Sequence, residues 1–244
     1  MARIADRMTR CAPRKRLLSE ADGDLQRLLI RHTRPVRPSL CPELQLHLAE
    51  DMGDLWEAME QELGIDRMPP PFWSVAWPGG LALARYLLEH PALVQQRTVV
   101  DVGAGSGLCA LAAARAGATR VVANDIDPLA RAAIAQNAKL NGMQLEIDGT
   151  DLLGAAMPPG TLILAGDLWY ERQVAERITP WLARLARGGC HVLLGDKRRR
   201  NFPRRGLQCL ARYRVETSTS REEGELTEAG VYVFESAPHY GGAA

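Results

Sequence analysis

Residues 98–127 hold the feature that most restricts the fold: an apolar run, TVVDV, then the loop GAGSG, an alanine-rich stretch, and a second apolar run closing in NDID. A short apolar run bounded by turn residues reads as a fully buried strand, and the stretch SGLCALAAARAG as a helix. Two strands joined through a helix run parallel. Gly103, Gly105 and Gly107 let the main chain take left-handed φ and let a ligand approach it closely. Open α/β sheets bind ligands beyond the carboxyl ends of their strands, which is where this loop falls.

The alternation extends along the chain. A helix is expected near 80–90, a helix over 128–140, a strand near 144–149 and the buried strand TLILAGD. A helix over about 171–187 and the strand GCHVLLGD follow, then a short helix near 203–210 and strands near 212–219 and 229–236. Apolar runs separated by helices predict a doubly wound, mostly parallel sheet. The last two strands lie too close for a crossover helix, so they are expected as an antiparallel terminal hairpin. Upstream, an N-terminal helical extension over 19–68 is expected, with helices near 19–32 and 42–63 and an interruption near Gly53. Residues 1–18 read as a flexible basic terminus, and 69–240 as the catalytic domain.

Composition narrows the class. Hydrophobic residues at 46% and charged residues at 24% match a soluble globular chain. A net charge of +1 gives no bulk attraction to nucleic acid or to an anionic membrane, so any partner must be recognised locally. No apolar run is long enough to span a bilayer. Cys11, Cys41, Cys109, Cys190 and Cys209 form no C-x-x-C pair, and the histidines have no ligand spacing, so reduced thiols and no metal are expected. An Arg-rich start without an apolar core is no secretory signal. The expected location is the cytoplasm of a bacterium, or the mitochondrial matrix if the chain is eukaryotic.

The loop pattern is G-x-G-x-G. A dinucleotide fingerprint has its third glycine one position later, where Leu108 stands here. Asp125, following a buried strand, sits where a carboxylate accepts the two ribose hydroxyls of an adenosyl group. Asp127 before Pro128 reads instead as a helix N-cap. Asp151, after the third strand, resembles the acidic residue that accepts an adenine amino group in such folds, with a cap or turn aspartate as the alternative. Asp167 and Tyr170 in GDLWYE would emerge at the same carboxyl edge.

Together PFWSVAWPGGLALARYLLEHP, VVDVGAGSG, ANDIDP and DLWYE resemble the electron transfer flavoprotein beta subunit lysine methyltransferase family, over about residues 69–236. The resemblance implies a Rossmann-like class I methyltransferase with a seven-stranded sheet, S-adenosylmethionine as cofactor and a protein substrate like the flavoprotein beta subunit. It places Trp77, Asp101, Gly103, Gly105, Gly107, Asp125 and Asp151 at the donor. It places Asp167 and Tyr170 at the lysine channel as catalytic residues, with Trp73 and Trp169 in an aromatic mouth for the substrate. Asp151 departs from the family, whose vertebrate members carry a polar amide there.

Ribosomal protein L11 methyltransferases share the loop and the ANDIDP-like stretch, but follow the fourth strand with an asparagine-proline motif; here that place reads Asp167-Leu168-Trp169-Tyr170. A small-molecule amine methyltransferase, an NAD-dependent oxidoreductase and a non-catalytic binding module are the other readings. The basic run Lys197–Arg200, with Arg204 and Arg205, reads as a solvated loop, or alternatively as a dock for acidic protein or RNA phosphate.

Overall fold

The computed structural model describes residues 22–216 and 226–235. The basic terminus expected over 1–18, Cys11 included, lies outside the described residues.

Seven strands form one sheet: β3 (Thr98–Val102), β4 (Arg120–Asn124), β5 (Glu146–Asp148), β6 (Leu162–Gly166), β7 (His191–Asp196), β8 (Leu207–Glu216) and β9 (Leu226–Phe234). Their order is β5-β4-β3-β6-β7-β9-β8. The pairs β3–β4, β4–β5, β3–β6 and β6–β7 are parallel, while β9 runs antiparallel to β7 and to β8. The chain therefore winds outward from β3 in one direction, then returns to its other side at β6. That reversal opens a crevice at the carboxyl end of β3, where the glycine loop lies.

Four helices cover the sheet: α3 (Pro78–Glu89), α4 (Leu108–Arg115), α5 (Pro128–Leu140) and α6 (Arg172–Arg187). The apolar side of α6 carries Ala175, Ile178, Trp181, Leu182 and Leu185, three or four residues apart, and it packs on Ile163, Val192 and Leu194 of the sheet. The opposite core joins α3 and α4 to β3, β7 and β9 through Leu83, Leu87, Leu111 and Leu193. No helix among the described residues is long and apolar enough to cross a membrane.

The N-terminal extension is not wholly helical. After α1 (Asp22–His32), strands β1 (Arg34–Val36) and β2 (Leu46–Leu48) pair antiparallel, and only then does α2 (Met52–Leu63) begin. The single helix expected over 42–63 is thus corrected. Leu44 and Leu48 fit the spacing of Leu55 and Met59, but Asp51 caps α2 between them, accepting the N–H groups of Gly53 and Asp54 at 2.7 and 2.9 Å. Gly53 is in the first turn and interrupts nothing. The N–H groups of Gln45 and His47 donate to Asn141 and Asn137 of α5 at 2.9 and 2.7 Å.

The helix expected near 203–210 is also absent. Pro203 and Gly206 break that stretch, and from Leu207 the chain pairs with Phe234 as the start of β8. The terminal hairpin forms as expected, with a register shift between Cys209 and Ala211.

Helix α3 enters the fold by backbone contact. A Cβ on Gly79 would lie 2.4 Å from Gly195 O, and one on Gly195 would lie 2.2 Å from Gly79 O. The start of α3 thus rests on the end of β7 with no side chain between them. Gly195→Ala must push these elements apart, at a cost of about 1–3 kcal/mol. A urea unfolding curve should show a lower midpoint with an unchanged slope; an unchanged midpoint would mean that this contact can loosen freely.

Candidate active site

The loop between β3 and α4 turns through three left-handed glycines, Gly103 (φ 63°), Gly105 (φ 54°) and Gly107 (φ 81°). Side chains with a Cβ rarely take this conformation. Gly105 N–H donates to Asp125 Oδ2 at 2.9 Å, while Asp125 Oδ1 accepts the N–H of Asp127 at 2.9 Å. Asp127 caps α5 by accepting Leu129 N–H at 2.9 Å, the capping role expected for this residue. Wholly buried Asn137 steadies the loop from behind, donating to Ser106 O at 2.9 Å while accepting from His47. The extension and the glycine loop are therefore tied through one amide.

Two aspartates at strand ends cap the two helices that open onto this crevice. Helix α4 starts at Gly107, which has no side chain to cap with, and Asp101 Oδ2 accepts Ala110 N–H at 2.9 Å. Helix α3 starts at Trp77, which caps nothing, and Asp167 Oδ2 accepts Gly80 N–H at 2.6 Å. Both amides are third in their helix, among the donors a helix leaves unpaired. Asp167 takes φ 58°, a left-handed conformation for a residue with a side chain.

Electrostatics follow from burial. Asp101 is pushed up to about 7, mainly by desolvation and slightly by the nearby Asp125, against the hydrogen bond from Ala110. Burial, with Asp101 and Asp167 adding to it, pushes the Cys109 thiol well above its ordinary value. Cys109 donates to Gly80 O at 3.4 Å and is no nucleophile at neutral pH.

The cleft encloses about 50 Å³ and brings together Trp77, Asp101, Gly103, Gly105 and Asp167. Gly107, the N-cap of α4, stands between the lining residues Ser106 and Leu108. Phe72 also faces the cleft, with its ring 6.1 Å from Trp77 and 5.1 Å from Tyr170. Tyr170 is 39% exposed and joins the rim through this contact.

Three expected residues lie elsewhere. Trp73 is 1% exposed and packs with Leu25, Leu29 and Met59 of the extension, because the 3₁₀ turn Phe72–Ser74 sends Phe72 outward in its place. Trp169 is wholly buried beneath the rim, its indole N–H donating to Thr179 at 2.9 Å and its ring 4.8 Å from Phe202. Asp151 is exposed, and its carboxylate accepts Leu153 N–H at 3.0 Å in the manner of a turn aspartate.

Sequence reasoning missed Phe72, Asp196 and Arg199. Asp196 closes HVLLGD much as Asp167 follows LILAG, and that repeat was the available signal. Arg199 was hidden in a run that read as solvated.

A doubly wound seven-stranded sheet with an antiparallel terminal hairpin, a G-x-G-x-G loop at its reversal point and a carboxylate after the next strand defines an S-adenosylmethionine-dependent, Rossmann-like class I methyltransferase. Within that class, the chain belongs to the electron transfer flavoprotein beta subunit lysine methyltransferase family. It is 38% identical to the Xenopus laevis protein of that name, covering 85% of each chain. It is 34% identical to the Homo sapiens protein, over 81% of this chain and 76% of that one. The family model "Ribosomal protein L11 methyltransferase (PrmA)" matches residues 82–157. The L11 methyltransferase of Pelobacter propionicus is 31% identical, over 85% of this chain and 74% of that one. Among solved structures, a Pyrococcus horikoshii protein named as a candidate RNA methyltransferase superposes with a TM-score of 0.51 at 16% identity, over 69% of this chain and 89% of that one. At that identity the likeness concerns the fold alone.

The cleft suits this donor. Gly103 and Gly105 expose main chain to it without a Cβ, and Val75 and Leu108 give apolar wall. Asp167 lines it and Asp125 stands behind Gly105, so that acidic groups flank a space for a molecule carrying a sulfonium and an ammonium.

The raised Asp101 yields a pH prediction. The folded state binds a proton more tightly than the unfolded one, so Asp101 contributes stability at low pH that is lost as pH rises through about 7. Asp101→Asn cannot ionise. Its stability relative to the parent should rise with pH between about 4 and 7, by at most about 1.4 kcal/mol per pH unit, and level off above. A pH-independent difference in urea titrations would remove the buried-acid assignment.

Proposed function

We propose that this chain transfers a methyl group from S-adenosylmethionine to a lysine side chain of a protein like the electron transfer flavoprotein beta subunit. The observation that carries the reading is Asp167, fixed by Gly80 N–H at the bottom of a cleft whose outer wall is Phe72, Trp77 and Tyr170. The names of the similar proteins from frog and human supply the substrate class.

The donor brings a methyl group already made electrophilic by its sulfonium. Asp125 is assigned to the ribose hydroxyls, and Trp77, Asp101 and the three loop glycines to the rest of the donor. Asp151, whose Oδ1 accepts Leu153 N–H in the turn after β5, is assigned to the adenine amino group. The reacting amine must be placed in line and neutral, from an ordinary pKa of about 10.4. Placement alone is worth about 7–11 kcal/mol by effective-molarity estimates. The aromatic rim favours the neutral amine by desolvation while holding the arriving ammonium by cation–π attraction. Asp167 orients the amine: each of its oxygens accepts a bond within the protein and keeps a further lone pair for the substrate. With the rim made by Phe72, neither Trp73 nor Trp169 is needed at the substrate. Residues 69–240 are taken as the unit that carries the reaction.

Methylation of ribosomal protein L11 is the second reading, favoured by the family model. Its match over 82–157 ends before Asp167, so it speaks for the donor half of the site.

Purified flavoprotein beta subunit and L11, each incubated with labelled donor and mapped by mass spectrometry, should show label on a lysine of the former. Label confined to L11, RNA or small amines would end the proposal. Asp167→Asn keeps an acceptor for Gly80 N–H, and should lower turnover about 100-fold with donor affinity within a few-fold. Calorimetry showing donor affinity lost in parallel would move Asp167 to the donor side. Asp125→Ala should weaken donor binding about 10- to 150-fold, the worth of one charge-assisted hydrogen bond; unchanged affinity would sink the ribose assignment.

A further inference from the structure

Of the four basic residues that follow β7, Lys197, Arg198 and Arg200 are exposed, whereas the side chain of Arg199 turns inward to 14% exposure. The backbone sets this turn: Arg198 takes φ 62°, and Arg199 N–H donates to Asp196 Oδ1 at 2.6 Å. The guanidinium Nη1 then donates to Asp196 Oδ2 at 2.9 Å and to Asp167 Oδ1. Its centre lies 5.8 Å from the centroid of the Trp77 ring. Asp196 is wholly buried and Asp167 is 7% exposed.

One cation shared by two buried carboxylates is an unusual way to build a purely structural pair, because the cluster keeps one uncompensated negative charge. Burial works against the charge on Arg199, but Asp167 and Asp196 outweigh it and raise its pKa. Burial pushes Asp196 up, with Arg199 opposing and Asp167 adding to the rise. Only Asp167 of the two carboxylates lines the cleft. The remaining charge therefore faces the side from which a cationic acceptor would arrive.

We propose that Arg199 is a positioning residue for the methyl acceptor, holding Asp167 and Trp77 in one geometry and leaving a net charge that matches a single ammonium. The inference rests on the reading of Asp167 as the carboxylate that meets the acceptor. With Gly80 N–H on Oδ2 and Arg199 on Oδ1, the carboxylate cannot rotate, so its free lone pairs have fixed directions. Without Arg199, two buried carboxylates would face each other without a counter-ion, and Asp167 would turn away from Asp196.

The test measures labelled methyl transfer to purified flavoprotein beta subunit and, separately, to n-butylamine as a stand-in for the lysine side chain. Donor affinity by calorimetry and unfolding midpoints are followed in parallel. Arg199→Met keeps the length of the stem and should lower kcat about 100-fold on either acceptor, the cost of a misplaced reacting group, with donor affinity within about threefold. Arg199→Lys keeps a cation but loses the planar group beside Trp77, and should recover about tenfold of that loss. A Met variant with kcat within about threefold of the parent, or one whose kcat and donor affinity fall together, overturns the inference. If the Met variant does not unfold cooperatively, the Lys variant decides: full activity overturns the inference, and a reduced kcat at unchanged donor affinity supports it. Transfer to n-butylamine but not to the protein defeats the substrate reading and leaves the Arg199 comparison readable. Transfer to neither defeats both.

Discussion

The site is organised by strand-end carboxylates that complete helices they do not belong to. A helix leaves its first N–H groups without partners, and the residue before it usually supplies a side chain to accept one. Neither Gly107 nor Trp77 can do so, and Asp101 and Asp167 reach across from β3 and β6 instead. Each bond does two things. It fixes a helix start against the sheet, and it fixes a carboxylate at the floor of the cleft. The two carboxylates thus share one frame, since they stand at the ends of the paired strands β3 and β6.

This arrangement depends on small residues where main chains meet. Gly79 against Gly195 lets α3 approach β7 closely enough for Gly80 to meet Asp167. Gly166 works in the same way, since a Cβ there would lie 3.2 Å from the Cα of Gly80. The Trp-Pro-Gly-Gly segment, which the sequence resemblance singled out, therefore has a mechanical role. Its proline starts the helix, its glycines permit the contact, and its tryptophan, tied by its indole N–H to Phe72 O at 2.8 Å, walls the cleft.

The fold was legible because buried parallel strands are short, apolar and punctuated, so β3, β4, β6 and β7 stand out in the chain. The errors lie where two periodicities coexist. Leu44 and Leu48 fit the helical spacing of Leu55 and Met59, and only the cap at Asp51 shows that the run is broken. Around the site, aspartates were readable from their place after apolar runs. Which aromatic faces the cleft was not, because a 3₁₀ turn or a left-handed aspartate changes the direction of the next side chain. Trp73 and Trp169 went into the core, and Phe72 took the rim. Arg199 was illegible for a related reason: Lys197, Arg198 and Arg200 are all solvated, and its pairing with Asp196 and Asp167 emerges only in the fold.

Charge ties these observations together. The chain as a whole is nearly neutral at +1, yet all five parallel strands carry an aspartate at or just beyond their carboxyl ends: Asp101, Asp125, Asp148, Asp167 and Asp196. A reaction between a sulfonium donor and an amine that arrives as an ammonium brings positive charge to positive charge. The sheet edge offsets that repulsion without large bulk charge, because the carboxylates are concentrated where the strands end. They cannot all be ionised and unpaired so close together. Backbone N–H groups take up Asp125 and Asp167, burial drives Asp101 toward its neutral form, and Arg199 compensates one of Asp167 and Asp196. What remains is a row of strand-end carboxylates, each restrained by a backbone N–H group, by burial or by Arg199.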